Sequence, residues 1–360
     1  MEINPANVEK VLAQFKDPET GRGVVQQKQI RDLKVAGKSI AFTLALTTHS
    51  APLWEESRAA VARLVRENFP DVADLEVKLA VHERPPMKLG QIGWAAKSGS
   101  AGGSGKGGVG KSTVATSIAY GLSRAGCRVG LMDADVYGPS VPHLLGVDQR
   151  PQTEDKRILP IEKDGMKVMS MGFLVPPGEA VVWRGPMLHG AITQFLRDKL
   201  WGELDYLIID MPPGTGDIAL TLSQLLPLTG AVVVCTPQDV ALIDAEKAIA
   251  MFRKVNIPVL GMVENMSYFL CPDNGKRYDI FGHGGAQKRA AEMDVPFLGE
   301  VPINMQIRIN GDEGRTGVNF ADEASKDFLE QIAYRLSRNL ADKLQSGNEP
   351  PPLPSLSVLG

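Results

Sequence analysis

Residues 105–112 read Gly-Lys-Gly-Gly-Val-Gly-Lys-Ser, which satisfies the spacing G-x-x-x-x-G-K-[ST]. Glycines at these positions let consecutive backbone N–H groups turn inward around phosphate oxygens, where a Cβ would obstruct them. A helix starting near Lys111 adds the positive end of its dipole. The chemistry implied is binding of ATP with Mg²⁺. Lys111 reaches the β- and γ-phosphates, the Ser112 hydroxyl coordinates the metal, and Gly105, Lys106, Gly107, Gly108, Val109, Gly110 and Thr113 complete the cradle. Downstream, the apolar run 204–209 ends in Asp210, the pattern of a strand that delivers a carboxylate to Mg²⁺ through a water. Pro212-Pro-Gly-Thr-Gly216 follows as a stiff turn with glycine hinges, suited to sensing a γ-phosphate. Asp133 and Asp135 stand at the end of another apolar strand. Either could orient the attacking water, with Asp135 the stronger candidate.

These groups need a rigid scaffold, and the sequence supplies one. Short apolar strands at 127–132, 204–209, 231–235 and 259–263 alternate with helical stretches at 113–125 and 240–255. That alternation predicts an α/β fold with a mostly parallel sheet covered by helices on both faces. An amphipathic helix at 322–345 (Phe328, Ile332, Leu336, Leu340) closes it. Ahead of it, residues 1–84 read as a small α+β domain of order α-β-β-α-β. Its helices fall at 7–15 and 52–68 and its strands at 30–35, 40–46 and 74–81. Pro52 is expected in the first turn of the second helix. Residues 85–104 are rich in Pro, Gly, Ser and Ala and read as a linker. The catalytic domain is then 105–345, and 346–360 a disordered tail. One feature conflicts with this division: a phosphate loop should leave a buried apolar strand, and residues 97–104 are almost all Gly, Ser and Ala.

The 360 residues carry a formal net charge of −3 with no basic block, which argues against nucleic-acid binding. No segment approaches the length of a membrane span, and the first residues lack a basic-then-apolar leader. Three cysteines, Cys127, Cys235 and Cys271, suit a reducing, cytoplasmic setting. The five histidines are scattered, with no zinc-ligand spacing.

Lys106 within Lys-Gly-Gly-Val-Gly-Lys111 resembles the deviant Walker A motif of the MinD-type and ParA-type ATPases. That resemblance implies a homodimer in which Lys106 reaches the partner's ATP, as an arginine finger does. Trp183-Arg-Gly-Pro-Met187, Asp133-Ala-Asp-Val-Tyr-Gly-Pro-Ser140, Asp210-Met-Pro-Pro-Gly-Thr-Gly-Asp217 and Glu264-Asn-Met-Ser-Tyr268 together resemble the Mrp/ApbC group of P-loop iron–sulfur cluster carriers. Phe281-Gly-His-Gly-Gly285 and Val301-Pro-Ile-Asn304 fit the same group. The first domain, with Asp17-Pro-Glu-Thr-Gly21, resembles the small domain shared with iron–sulfur assembly factors. The resemblance implies that Asn265 contacts the adenine. It also implies a [4Fe–4S] cluster bridging two subunits, with assembly factors and apo-protein clients as partners; no membrane partner is expected, because no apolar run is long enough and the 322–345 helix carries Lys326, Asp327, Glu330 and Arg335. The group's Cys-x-x-Cys is here Cys271-Pro-Asp-Asn274, so a dimer brings two thiolates rather than four. Ala51 stands where related small domains often carry cysteine. Three outcomes stay open: outside ligands complete a cluster on Cys271, His283 or Asp273 completes it, or the switch carries no cluster. The rival functions are a MinD-like positioning ATPase anchored by the 322–345 helix and a nucleotide-gated scaffold.

Overall fold

The computed structural model describes residues 1–84, 96–103, 107–135, 138–154, 157–174, 190, 193, 201–212 and 228–345. The chain divides into two compact units, one built mainly from residues 1–84.

In that first unit α1 (Pro5–Leu12) begins where Asn4 accepts a hydrogen bond from the Asn7 amide at 2.9 Å, with proline in the first turn. Strands β1 (Ile30–Ala36) and β2 (Ser39–Leu46) pair antiparallel, and β3 (Asp74–Val81) joins β2 in parallel. The alternation read from the sequence is real: Ile40, Phe42, Leu44 and Leu46 are buried with Val61 and Val65 of α2 (Trp54–Asn68). Pro52 does not start that helix. A 3-10 turn, Thr48–Leu53, precedes it, and Pro52 lies inside this turn. The Asp17 turn is a structural lock. Its buried carboxylate accepts from the Thr20 amide and hydroxyl and from Gln29 Nε2 at 2.7–2.9 Å.

Among the described residues the second unit holds a nine-stranded sheet. Its strands in chain order are β4 (Ala96–Gly103), β5 (Val129–Asp133), β8 (Ile161–Lys163), β9 (Met166–Ser170), β10 (Leu204–Asp210), β11 (Gly230–Cys235), β12 (Val259–Leu270), β13 (Arg277–Tyr278) and β14 (Phe297–Ile303). A separate two-stranded ribbon pairs β6 (Thr153–Glu154) with β7 (Arg157–Ile158). The spatial order is β13-β12-β11-β4-β10-β5-β9-β8, with β14 alongside β12; only the pairings of β8 and β13 are antiparallel.

The expected linker is therefore corrected at its end. Residues 96–103 form the strand between β10 and β11, paired in parallel on both edges. Gly and Ser are poor strand formers, but the ladder on each edge needs only backbone groups. The apolar burial sits on the neighbours, where β10 is buried along its whole length. At about 1.5–3 kcal/mol per fully buried Leu, Ile or Val, those neighbours hold the weak strand in place.

The helices of this unit among the described residues are α3 (Lys111–Arg124), α4 (Val141–Leu145), α5 (Asp239–Lys254), α6 (Gly285–Glu292), α7 (Met305–Asp312) and α8 (Glu323–Gln345), the last belonging to it as far as Leu336. Leu242, Ile249 and Phe252 of α5 pack with Leu207, Ile209, Val233 and Met262 of the sheet, while α3 lies over β4, β5 and β10. Gly121 of α3 allows a close approach: a Cβ there would lie 2.8 Å from the Ala333 Cβ of α8. No helix among the described residues is long and apolar enough to cross a membrane.

Candidate functional site

Parallel strands deliver their C-terminal ends to one edge of the sheet, and that edge is where ligands bind in such folds. Asp210 ends β10 and pairs in register with Asp133, which ends β5. β4 ends at Gly103, just before the phosphate loop, and β12 passes beside that loop at Asn265.

In the loop, Gly108 and Gly110 adopt φ of +82° and +79°, conformations open to glycine and strained for other residues. Val109 between them is buried. Lys111 opens α3, and its ammonium donates to Asp210 Oδ1 at 2.6 Å, with side-chain exposures of 7% and 0%. Burial raises the Asp210 carboxyl above its ordinary range, and the Lys111 ammonium and the Ser112 hydroxyl act against that rise. Asp210 Oδ2 is buried with no hydrogen-bond partner among the described residues. A carboxylate oxygen left open beside a serine hydroxyl is a hard-oxygen donor set, so Asp210 and Ser112 fit Mg²⁺. Gly105 and Lys106 lie outside the described residues, as do 183–187 and 213–216.

Asp133 is fully buried. Its Oδ1 accepts from the Asp135 amide at 3.0 Å, and its Oδ2 from the Val141 amide at 3.1 Å and Ser170 Oγ at 3.2 Å. Burial and the Asp210 charge push its carboxyl up to about 7, opposed by the two amides. Its oxygens hold the turn after β5 together. Asp135 is less buried, and its Oδ1 accepts from the Gly138 amide at 3.1 Å. Ser170 went unnoticed in the sequence because only the β5–β9 pairing brings it to Asp133.

Asn265 meets the loop in an unexpected way. Its Nδ2 donates to the Val109 carbonyl at 2.8 Å, and a Cβ on Gly110 would stand 2.1 Å from that nitrogen. The buried Glu264 before it accepts from Ser267 Oγ at 2.6 Å and from the Ala286 amide of α6 at 2.7 Å.

β12 continues to Leu270, and Cys271 opens the turn into β13. The Cys271 amide donates to the Lys276 carbonyl at 3.0 Å, and the Gly275 amide to the Cys271 carbonyl at 2.8 Å. Asn274, at the position where the carrier pattern has cysteine, accepts from the Lys276 amide at 2.9 Å and so braces the turn. Cys271 is partly exposed, whereas Cys127 and Cys235 are buried. Burial, with Glu264 nearby, pushes the Cys235 thiol up to about 12. His283 is engaged instead: Arg277 contacts its Nδ1 at 2.5 Å, and Glu300 lies 3.8 Å away. Among the described residues of one chain no group of three or more His, Cys, Asp or Glu side chains could hold a metal ion.

Residues 100–337 match a ParA-class family model described as NUBPL iron-transfer P-loop NTPase, and residues 5–79 match a model of an iron–sulfur cluster assembly protein. The chain is 48% identical over 337 residues to the iron–sulfur cluster carrier protein of Deinococcus radiodurans, covering 93% of this chain and 94% of that one. Against the carrier protein of Synechocystis it is 45% identical over 343 residues, covering 91% and 95%. A nucleotide-binding protein of Archaeoglobus fulgidus, solved in complex with ADP, superposes with a TM-score of 0.57 at 41% identity, covering 65% of this chain and 90% of that one. A MinC:MinD complex of Aquifex aeolicus, at a TM-score of 0.51 and 18% identity over 66% of this chain and 95% of that one, shares the fold alone. With the phosphate loop, the Lys111–Asp210 pair and the parallel sheet all in place, the chain belongs to the NUBPL iron-transfer P-loop NTPase family.

Proposed function

We propose that this chain is a homodimeric carrier of iron–sulfur clusters whose loading or release is governed by slow, Mg²⁺-dependent ATP hydrolysis. The observation that carries the proposal is the course of β12, which runs from Asn265 against the phosphate loop to Cys271, the one cysteine of the three that is not buried. The names of the related carrier proteins support the cargo.

The residues divide the work as follows. An arriving γ-phosphate competes with Asp210 for the Lys111 ammonium, which draws the lysine onto the β- and γ-phosphates. Ser112 and Asp210 hold Mg²⁺, which when bound neutralises charge on the phosphates. The amides of Gly107, Gly108, Val109 and Gly110, together with Gly105 and Thr113, cradle the phosphate oxygens. Asp135 positions the attacking water, because Asp133 already spends its oxygens on Asp135, Val141 and Ser170. Lys106 acts across the dimer on charge that builds during transfer.

The cargo sits on Cys271 from each copy, two thiolates in all, so the remaining iron positions take ligands from small thiols or from a client. Leu270, Tyr278, Ile280 and Phe281 near that turn are large apolar side chains left exposed, a surface that a second copy or a client would cover. The first unit docks assembly factors or apo-proteins, and cysteines that form no disulfide suit the cytoplasm.

Anaerobic reconstitution with iron and sulfide tests the cargo. We expect about four irons per dimer, lost in Cys271→Ala. Iron no higher than in the variant would remove the carrier reading and leave a nucleotide-gated scaffold.

A further inference from the structure

We propose that Asn265 is a positioning residue that couples the phosphate loop to Cys271, and that it acts through the strand it lies on rather than through contact with the base. The proposal rests on the reading of Cys271 as the cargo residue. It names the route by which nucleotide would control that residue.

The route begins at the loop. Asn265 is 7% exposed, and its amide nitrogen is engaged with the carbonyl of Val109, itself 5% exposed. The same nitrogen fills the space that a side chain on Gly110 would need. The Met266 methyl lies 3.9 Å from that Cβ position, so two consecutive residues of β12 cover one loop glycine. The loop cannot rearrange around phosphate at Val109–Gly110 without moving Asn265 or breaking its hydrogen bond.

The next link is a kink. Met266 has φ of +53° inside a strand, and the pairing of β12 with β14 shifts register between Asn265 and Phe269. A positive φ on a long side chain persists only where its surroundings hold it. Here Glu264 does so from below, tying Ser267 beyond the kink to the first turn of α6 through its two oxygens. Past the kink, Phe269 and Leu270 pair with Tyr278 and Arg277, and the turn is closed by the Cys271 and Gly275 amides and the Asn274 cap. A shift at Asn265 therefore reaches a braced hairpin as a whole, and Cys271 moves with it. Five residues, Met266 to Leu270, separate the two ends.

Thiol alkylation of the full-length, cluster-free protein tests this, because Cys271 is the one partly exposed thiol. The N-ethylmaleimide rate at Cys271, assigned with Cys271→Ala, is measured without nucleotide, with Mg·ADP and with a non-hydrolysable Mg·ATP analogue. In the wild type the analogue should change the rate by about fivefold or more, within the usual range of coupling between sites. In Asn265→Ala and the near-isosteric Asn265→Asp, at saturating nucleotide, the change should shrink to within about twofold of none. Variants that keep the full change would overturn the proposal. So would variants that lose ATP binding while GTP binding survives, since that identifies Asn265 as an adenine reader.

Wild-type amide exchange decides the matter even if a variant misfolds. The Cys271 and Gly275 amides should change protection when nucleotide binds, and unchanged protection would overturn the relay. Failure of the cargo reading shows separately, as reconstituted iron that does not depend on Cys271.

Discussion

Replacing Lys111 with methionine keeps the stem but removes the ammonium 2.6 Å from a carboxylate with no exposed surface. Asp210 would then be a buried charge whose other oxygen already lacks a partner among the described residues. Breaking a buried pair by removing one member costs about 3–5 kcal/mol, a fifth or more of the roughly 5–15 kcal/mol that holds an ordinary domain folded. The folded chain can lower that cost by protonating Asp210. Even with Lys111 present, burial holds this carboxyl above its ordinary range, and the variant pushes it higher. The sign follows. Between the unfolded carboxyl value of about 4 and the raised folded value, the folded state binds the extra proton, so stability falls as pH rises, by up to about 1.4 kcal/mol per pH unit. Urea unfolding without nucleotide or Mg²⁺, at pH 5 and pH 8, should show Lys111→Met far weaker than wild type at pH 8 and much closer at pH 5. Adding Asp210→Asn should return most of the lost stability at pH 8. A deficit equal at both pH values, or a double variant no better than the single one, would refute the account of a buried pair.

Asp133 gives the wild type its own pH dependence. With its carboxyl pushed up to about 7, it contributes a stability that declines as pH rises from about 5 toward 8, and Asp133→Asn should flatten that slope in the same unfolding experiment. Gly108 and Gly110 separate backbone strain from crowding. Both have positive φ, but a Cβ on Gly108 meets nothing within 4 Å while one on Gly110 collides with Asn265. Titration with a fluorescent ATP analogue should show Gly108→Ala weakening binding by about 1–2 kcal/mol at most and Gly110→Ala by more. Mass spectrometry after iodoacetamide at pH 8 should find one modified thiol per folded chain, Cys271. Cys235 is buried with its thiol pushed up to about 12, leaving about one molecule in ten thousand ionised, and Cys127 is buried as well. Modification of Cys235 at a similar rate would contradict its burial.

Much of the site was legible because its signals are local. The spacing from Gly105 to Ser112 fixes a glycine-rich phosphate loop, and in the structure two of its glycines, Gly108 and Gly110, take positive φ. The apolar run into Asp210 fixes a buried strand with a carboxylate at its end, and alternation in β2 fixes which face of the small sheet is buried. Cys271 without a second cysteine at Asn274 was equally plain.

Other features were decided between distant segments. Residues 96–103 carry no strand signal in their side chains. They become a central strand because β10 and β11 offer backbone partners on both edges, and Gly, Ser, Ala and Lys all carry the N–H and C=O that the ladder uses. Asp133 and Asp135 both stand at the end of one apolar strand, and the sequence offers either as a water-positioning carboxylate, favouring Asp135. Burial beside Asp210, with amide donors from its own turn and a hydroxyl from Ser170, makes the first a structural brace and leaves the second less buried. Asn265 reads as a base-contacting amide, yet in the fold it meets the Val109 carbonyl, a partner 156 residues away in the chain. The sequence by itself determined which residues could do chemistry, because motif spacing acts through local backbone geometry. Only the tertiary structure decided which of them are committed to holding one another, because burial and long-range pairing set each group's partners and charge.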